Sequence, residues 1–195
     1  MELILASASP RRKHLLGVLL KNFGLKFHVV PANIEEFFPD NITDIPAFVT
    51  DLAMKKAKVV ASKKKAVVIG ADTVVVLGKK ILNKPDSRAD AKKMLRLLSG
   101  KSHRVITGIA VIDPIRGKEY KTYESTLVTF RKLKNSEIDF YVKGGSPMDK
   151  AGGYGIQDDF GSTFVSKING DYFNVVGLPI VKTYLALNKF IDLRG

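Results

Sequence analysis

The longest apolar run in the chain, Ala66 to Leu77, is rich in valine and carries Asp72 near its middle. It falls well short of the ~20 residues that a membrane-spanning helix requires, so it is expected to lie in a sheet buried in a soluble core. Ala66–Ile69 and Thr73–Leu77 are predicted as strand on either side of Gly70-Ala71-Asp72, and Gly78-Lys79 as the turn of a hairpin into Ile81-Leu82. A carboxylate between two apolar strand segments is costly unless it is paired, hydrogen-bonded or bound to a metal. Asp72 is therefore the first candidate for chemistry, as a Mg²⁺ ligand or as a base toward water. The alternative is an Asp in a bulge or turn.

Strands and helices interleave along the rest of the chain. Leu3–Ala6 is predicted as strand. Ser9 and Pro10 then open a helix, serine being a good N-cap and proline suiting the first helical position; Leu15, Leu16, Leu19 and Leu20 give its apolar face. Phe27–Val30 is predicted as strand and Ile45–Ser62 as helix, from the spacing of Ile45, Phe48, Val49, Leu52, Val59 and Val60. Ser87 with Asp90 resembles a capping box for a helix ending at Ser99-Gly100. Arg104–Ile112 and Glu119–Arg131 are predicted as a long β-hairpin around Asp113-Pro114. A helix Asn135–Lys143, a Gly-rich loop 144–161, strand Phe164–Ile168 and a helix from Leu178-Pro179 to about Phe190 complete the order. Crossovers together with hairpins imply a mixed sheet in an α/β fold. No repeat or long linker divides the 195 residues, of which 45 % are hydrophobic, so a single domain over 1–195 is expected.

There is no cysteine, which excludes disulfides, thiolate metal sites and a cysteine nucleophile. The N-terminus has its basic pair, Arg11-Arg12, after a very short apolar run, the reverse of a signal peptide, and a cytoplasmic setting is expected. The formal net charge of +13 admits nucleic acid, an anionic surface or phosphorylated small molecules as partners. Its densest cluster, Lys55, Lys56, Lys58 and Lys63 to Lys65, has the reading of a solvated helix face. His14, His28 and His103 lie far apart, and no Walker A sequence, G-x-G-x-x-G or G-x-S-x-G is present.

Four further segments are candidates. Ser7-Ala8-Ser9-Pro10-Arg11-Arg12 delivers two hydroxyls and two guanidiniums to a helix N-terminus, where free N–H groups favour an anion such as a triphosphate; an ordinary capped helix with two surface arginines is the alternative. Asp149 to Gln157 contains three glycines in nine residues, which permits close approach to a ligand, and Gln157 has the amide needed to pair with a base edge. A Gly-rich surface turn is the alternative there. Lys84-Pro85, after a strand end, is a candidate phosphate contact. Glu35-Glu36 is a possible second source of carboxylate.

Taken in order, these pieces resemble the Maf family of nucleoside triphosphate pyrophosphatases. The matching elements are Ser7-Ala8-Ser9-Pro10-Arg11-Arg12, Leu52-Ala53-Met54-Lys55-Lys56-Ala57, Gly70-Ala71-Asp72-Thr73-Val74-Val75 and Lys84-Pro85. Leu98-Ser99-Gly100, Val105-Ile106-Thr107-Gly108, Asp149-Lys150-Ala151-Gly152 and Val176-Gly177-Leu178-Pro179 continue them. The loop Tyr154-Gly155-Ile156-Gln157 looks like that of the branch acting on dTTP and UTP rather than 7-methyl-GTP. Asp158-Asp159 departs from the glycine usual in the family and adds negative charge beside the expected base pocket.

The resemblance implies an elongated mixed sheet with helices outside and two lobes around a cleft, a plan shared with inosine triphosphate pyrophosphatases. It places Asp72 at the catalytic acid/base position, and Arg11, Thr73 and Gln157 at positions of substrate specificity. Ser7, Arg12, Glu35, Lys56 and Lys84 fall at polar positions lining the cleft. The implied reaction is hydrolysis of a nucleoside triphosphate to the monophosphate and pyrophosphate, with a divalent cation as cofactor: Mg²⁺, or Mn²⁺ or Co²⁺. Asp72 either ligates that metal or takes the proton, and Glu35 is the choice of second ligand. A homodimer is compatible with the resemblance, as is a separate role in septum formation. The alternatives are the same reaction on a modified purine nucleotide such as 7-methyl-GTP, or a basic nucleic-acid-binding or cell-division regulatory protein without turnover; no recognisable nucleic-acid-binding motif supports the latter.

Overall fold

The computed structural model describes residues 2–39, 42–158 and 160–193. Seven strands, β1 (Leu3–Leu5), β2 (His28–Val29), β3 (Val67–Leu77), β4 (Lys80–Leu82), β5 (Ser102–Asp113), β6 (Lys118–Phe130) and β7 (Val165–Asn169), form one sheet. Their order is β2-β1-β3-β5-β6-β7, with β4 on β3. β1 pairs in parallel with both β2 and β3, whereas β4 on β3 and β7 on β6 are antiparallel. The sheet is therefore mixed, as the interleaving of crossovers and hairpins predicts. Among the described residues, six α-helices accompany it: α1 (Pro10–Lys21), α2 (Ile45–Ala61), α3 (Arg88–Leu98), α4 (Asn135–Lys143), α5 (Tyr172–Val176) and α6 (Ile180–Leu187).

Contacts divide the chain into two compact units. The first comprises residues 1–72, 107–124 and 177–195, the second 73–106 and 125–176. In the first, β1 and the opening half of β3 lie against α2 through Ile4, Ala6, Val68, Ala53, Ala57 and Val60, all buried. The small residues on α2 permit an unusually close approach. A Cβ on Gly70 of β3 would lie 2.1 Å from the Ala53 carbonyl oxygen, and one on Gly108 of β5 would lie 2.5 Å from that of Val49. Glycine at 70 and 108 is thus a packing requirement.

In the second unit, α3 and α4 bury Leu95, Leu98, Ile138 and Tyr141 with Val75, Phe130 and Phe164. The cap signals are realised. Ser9 Oγ accepts from the Arg12 backbone N–H and Ser87 Oγ from that of Asp90. The Asp90 carboxylate accepts from the Asp86 N–H instead of closing a capping box on Ser87. The expected Gly-rich loop contains short 3₁₀ turns at Ser146–Asp149, Ala151–Gly153 and Gly161–Phe164.

One expectation is corrected by the structure. Gly70-Ala71-Asp72 is not a bulge or turn between two strands: β3 runs without a break through it for 11 residues, and Ala71 and Asp72 are buried. The unbroken strand puts the carboxylate in the core, so something must offset its desolvation.

Candidate active site

The offset comes from α2. Lys56 Nζ donates to Asp72 Oδ1 at 2.5 Å and also pairs with Glu36 Oε1 at 2.6 Å. Lys56 is 7 % exposed and Asp72 4 %, so this ion pair is shielded from solvent. It splits the lysine cluster in two. Lys55, Lys58 and Lys63 to Lys65 are exposed, Lys58 pairing with Glu119 at 2.9 Å, as a solvated face should be. Lys56 alone among them turns into the core.

The segment after β1 supplies the second cation. Ser9 and Pro10 start α1, which places Arg11 and Arg12 in its first turn. Arg12 Nη1 donates to the buried Ser7 Oγ at 3.2 Å, and its Nε donates to the Gly177 carbonyl oxygen at 2.9 Å. Ser7 Oγ also accepts from the Ser9 N–H at 3.3 Å, so the loop and the guanidinium share one anchor. Arg12 interacts electrostatically with both Asp72 and Glu36. Arg11, at the next position back, is partly exposed.

The electrostatics centre on Asp72. Burial pushes its carboxyl above the ordinary carboxylate range, opposed by Lys56 and Arg12 and assisted by Glu36. Its Oδ1 is taken by Lys56, but its Oδ2 is buried with no hydrogen-bond partner. An unsatisfied carboxylate oxygen in a core is costly, and Oδ2 is left able to accept from an external partner.

Ser7, Arg12, Lys56 and Asp72 are thus brought together in the first unit. Both adjacent carboxylates are exposed, and it is Glu36 that pairs with Lys56. Glu36 and the Gly177 carbonyl are participants that the sequence did not single out by role. Adjacency left Glu35 and Glu36 equivalent, and a backbone acceptor leaves no side-chain signal. Among the described residues, no cluster of three or more His, Cys, Asp or Glu is disposed to hold a metal by itself.

Thr73, Lys84 and Gln157 belong to the second unit. Thr73 is the next residue of β3, half-buried; Lys84 is exposed after β4. The Gly152 N–H donates to the Asn83 carbonyl at 3.0 Å, which ties the Gly-rich loop to the strand end preceding Lys84. Gly152, at φ 69°, packs onto Val75 so tightly that a Cβ there would lie 2.9 Å from its methyl carbon. Gln157 is exposed. The charge of Asp158 is engaged, since its Oδ2 accepts from Tyr141 Oη at 2.8 Å and lies 3.2 Å from Lys150 Nζ. Asp159 lies outside the described residues.

The chain is 49 % identical over 189 residues to the dTTP/UTP pyrophosphatase of Desulforamulus reducens, covering 96 % of each chain. It is 48 % identical over 195 residues to that of Alkaliphilus oremlandii, covering 99 % of this chain and 98 % of the relative. Among solved structures, a HAM1 protein from Coxiella burnetii superposes with a TM-score of 0.50 at 17 % identity over 68 % of this chain and 74 % of that one, a likeness of fold alone. The profile of the family described as Maf-like protein matches residues 2–190, and the chain belongs to that family.

Proposed function

We propose that this protein hydrolyses dTTP and UTP to the monophosphate and pyrophosphate, by attack of water on the α-phosphorus. The observation that carries the reading is the buried Lys56–Asp72 pair, with Asp72 Oδ2 unpartnered and Arg12 fixed beside it. The near-full-length relatives named dTTP/UTP pyrophosphatase support the choice of nucleotide.

Each residue has a distinct part in the reaction. Asp72 Oδ2 accepts the proton of the attacking water, and burial raises the proton affinity it brings to that role. Lys56 holds Asp72 through Oδ1, so the free oxygen has a fixed orientation. Arg12 is immobilised by Ser7 and Gly177, and with Arg11 and Lys56 it stabilises the charge that grows on the phosphoryl oxygens and the departing pyrophosphate. Such preorganised cations cost no reorganisation during the reaction.

The donor set also fits a divalent cation. Hard carboxylate oxygens, few in number and without a closed protein cage, match the way Mg²⁺ binds through one or two carboxylates plus substrate phosphates. Glu36 would hold it together with the substrate, Glu36 being preferred to Glu35 because the fold brings it to the cluster. When bound, the cation neutralises phosphate charge and acidifies the water.

Base choice is assigned to Gln157 with Thr73. Uracil and thymine present acceptor–donor–acceptor along the pairing edge, so the Gln157 amide can accept from N3–H and donate to O4; cytosine reverses both partners. A mismatch strands buried polar groups at about 1–3 kcal/mol each. The test is product analysis with purified protein, Mg²⁺ and dTTP, UTP, CTP, ATP, GTP and 7-methyl-GTP supplied separately. Monophosphate and pyrophosphate from dTTP and UTP are expected. Preference for 7-methyl-GTP would overturn the base assignment, and no turnover of any nucleotide would overturn the catalytic one.

A further inference from the structure

The turn that carries Gln157 is closed in an unusual way. The Asp158 N–H donates to the Gly155 carbonyl at 3.3 Å, making a four-residue turn with Ile156 and Gln157 at its corners. Tyr141, on α4, reaches both ends of it. Its hydroxyl accepts from the Gly155 N–H at 3.1 Å and donates to Asp158 Oδ2 at 2.8 Å. A hydroxyl has one proton to give and two lone pairs, so the direction of both bonds is fixed by chemistry: an N–H can only donate and a carboxylate only accept.

The surroundings leave this staple little freedom. Asp158 Oδ2 also accepts from Ser146 Oγ and is paired with Lys150, whose ammonium donates to the Ser146 carbonyl at 2.6 Å and to Asp149 Oδ1 at 2.8 Å. A Cβ on Gly155 would lie 2.5 Å from the Asp158 carboxylate, and one on Gly161 would lie 2.9 Å from Tyr141 Oη and 2.7 Å from the Gly155 carbonyl oxygen. The Tyr141 ring packs edge-on against Phe164, with centroids 5.1 Å apart. Ile156 is buried at the first corner, leaving Gln157 exposed at the second. Every part of the turn is pinned except the one side chain assigned to the base.

We propose that the Tyr141 hydroxyl is a positioning group for base selection, holding the Gln157 turn in the one geometry that separates uracil and thymine from cytosine. This rests on the reading of Gln157 as the base-reading residue. A glutamine amide reads a base edge only from a backbone position that places it in register, and the closed, doubly anchored turn fixes that position. Asp158 is the acceptor that orients the tyrosine hydroxyl in this network.

The experiment compares Tyr141→Phe and Gln157→Ala by steady-state kinetics on dTTP, UTP and CTP, with melting temperatures recorded alongside. Tyr141→Phe keeps the ring and its packing and removes only the hydroxyl. The ratio of kcat/KM for dTTP over CTP is expected to fall about five- to tenfold, the size of one well-placed hydrogen bond, through KM for dTTP more than through kcat. Asp158→Asn, which retains an acceptor for the hydroxyl, is expected to lose less. If Tyr141→Phe does not fold, Asp158→Ala must show the same fall in discrimination. A relaxed Gln157→Ala beside a Tyr141→Phe that discriminates like the parent overturns the positioning role alone. A Gln157→Ala that still rejects CTP overturns the base-reading assignment, and the positioning role with it.

Discussion

Lys56 Nζ lies 2.5 Å from Asp72 Oδ1, with the two side chains 9 % and 6 % exposed. The lysine comes from α2 and the carboxylate from β3, so each element carries a charge into the core that the other neutralises. Breaking such a pair from one side leaves a bare buried charge, typically worth about 3–5 kcal/mol. Lys56→Met is therefore expected to destabilise strongly, the more so because Glu36 loses the same partner. The double variant Lys56→Met/Asp72→Asn should regain most of that loss in urea denaturation. Equal instability of the single and double variants would mean that the two charges do not act as a unit.

Asp72→Asn separates catalysis from stability. Turnover should fall by about 10²–10⁴, the usual contribution of a positioned acid or base, while the protein stays folded. Because burial raises the Asp72 pKa above its unfolded value, the stability linked to this group is present at low pH and is lost as pH rises through the folded pKa. The melting temperature of the Asn variant relative to the parent should thus fall as pH drops from 7 toward 4, on top of a pH-independent cost from leaving the buried Lys56 with Glu36. The acid limb of kcat/KM should lie above the ordinary carboxylate range. The opposite trend in melting temperature would show that Lys56 and Arg12 outweigh desolvation.

Local signals made most of this fold legible. Ser9-Pro10 and Ser87 cap helices because their hydroxyls satisfy orphan N–H groups a few residues on, and α4 spans the predicted Asn135–Lys143. Long-range partners were not legible. β3 continues through Gly70-Ala71-Asp72 because Lys56, sixteen positions earlier, offsets the Asp72 charge, a pairing that strand periodicity cannot reveal. Similarly, α5 at Tyr172–Val176 is too short to show a helical period. Asp158 reads in the sequence as an unwelcome charge, and only the fold brings Lys150 and Tyr141 to hold it.

His103 gives a second pH dependence. Its ring is 1 % exposed, its Nε2 is 2.8 Å from Tyr154 Oη, and it packs edge-on against Phe130 with centroids 4.9 Å apart. Burial lowers its pKa from 6.5 to about 4, so the unfolded chain takes up the proton first as pH falls. Its contribution is whole above pH 6.5 and drains away toward pH 4, a loss of roughly 3 kcal/mol at most. His103→Phe should start less stable at pH 7, since the Tyr154 hydroxyl loses its partner. Its melting temperature should nevertheless fall less than the parent's between those two limits. Parallel curves would remove His103 from the acid response.

Two glycines predict opposite signs for one substitution. In Gly70→Ala the new Cβ meets the Ala53 carbonyl oxygen at 2.1 Å and the Ala57 nitrogen at 3.0 Å. Both are backbone atoms of α2 and cannot rotate away, so helix and strand must part. Overpacking of this kind costs about 1–3 kcal/mol or more. The cost should reach function as well, because α2 carries Lys56 and β3 carries Asp72 two residues beyond the clash. Activity per folded molecule should therefore drop along with stability. Gly17 lies inside α1, and a Cβ there meets only a Phe27 ring carbon at 3.9 Å, an ordinary contact. Gly17→Ala removes backbone freedom from the unfolded chain without strain and should stabilise by about 0.5–1 kcal/mol. Equilibrium unfolding of the two variants beside the parent checks both signs, and a Gly70→Ala protein as stable and active as the parent would show that α2 can yield without disturbing the Lys56–Asp72 pair.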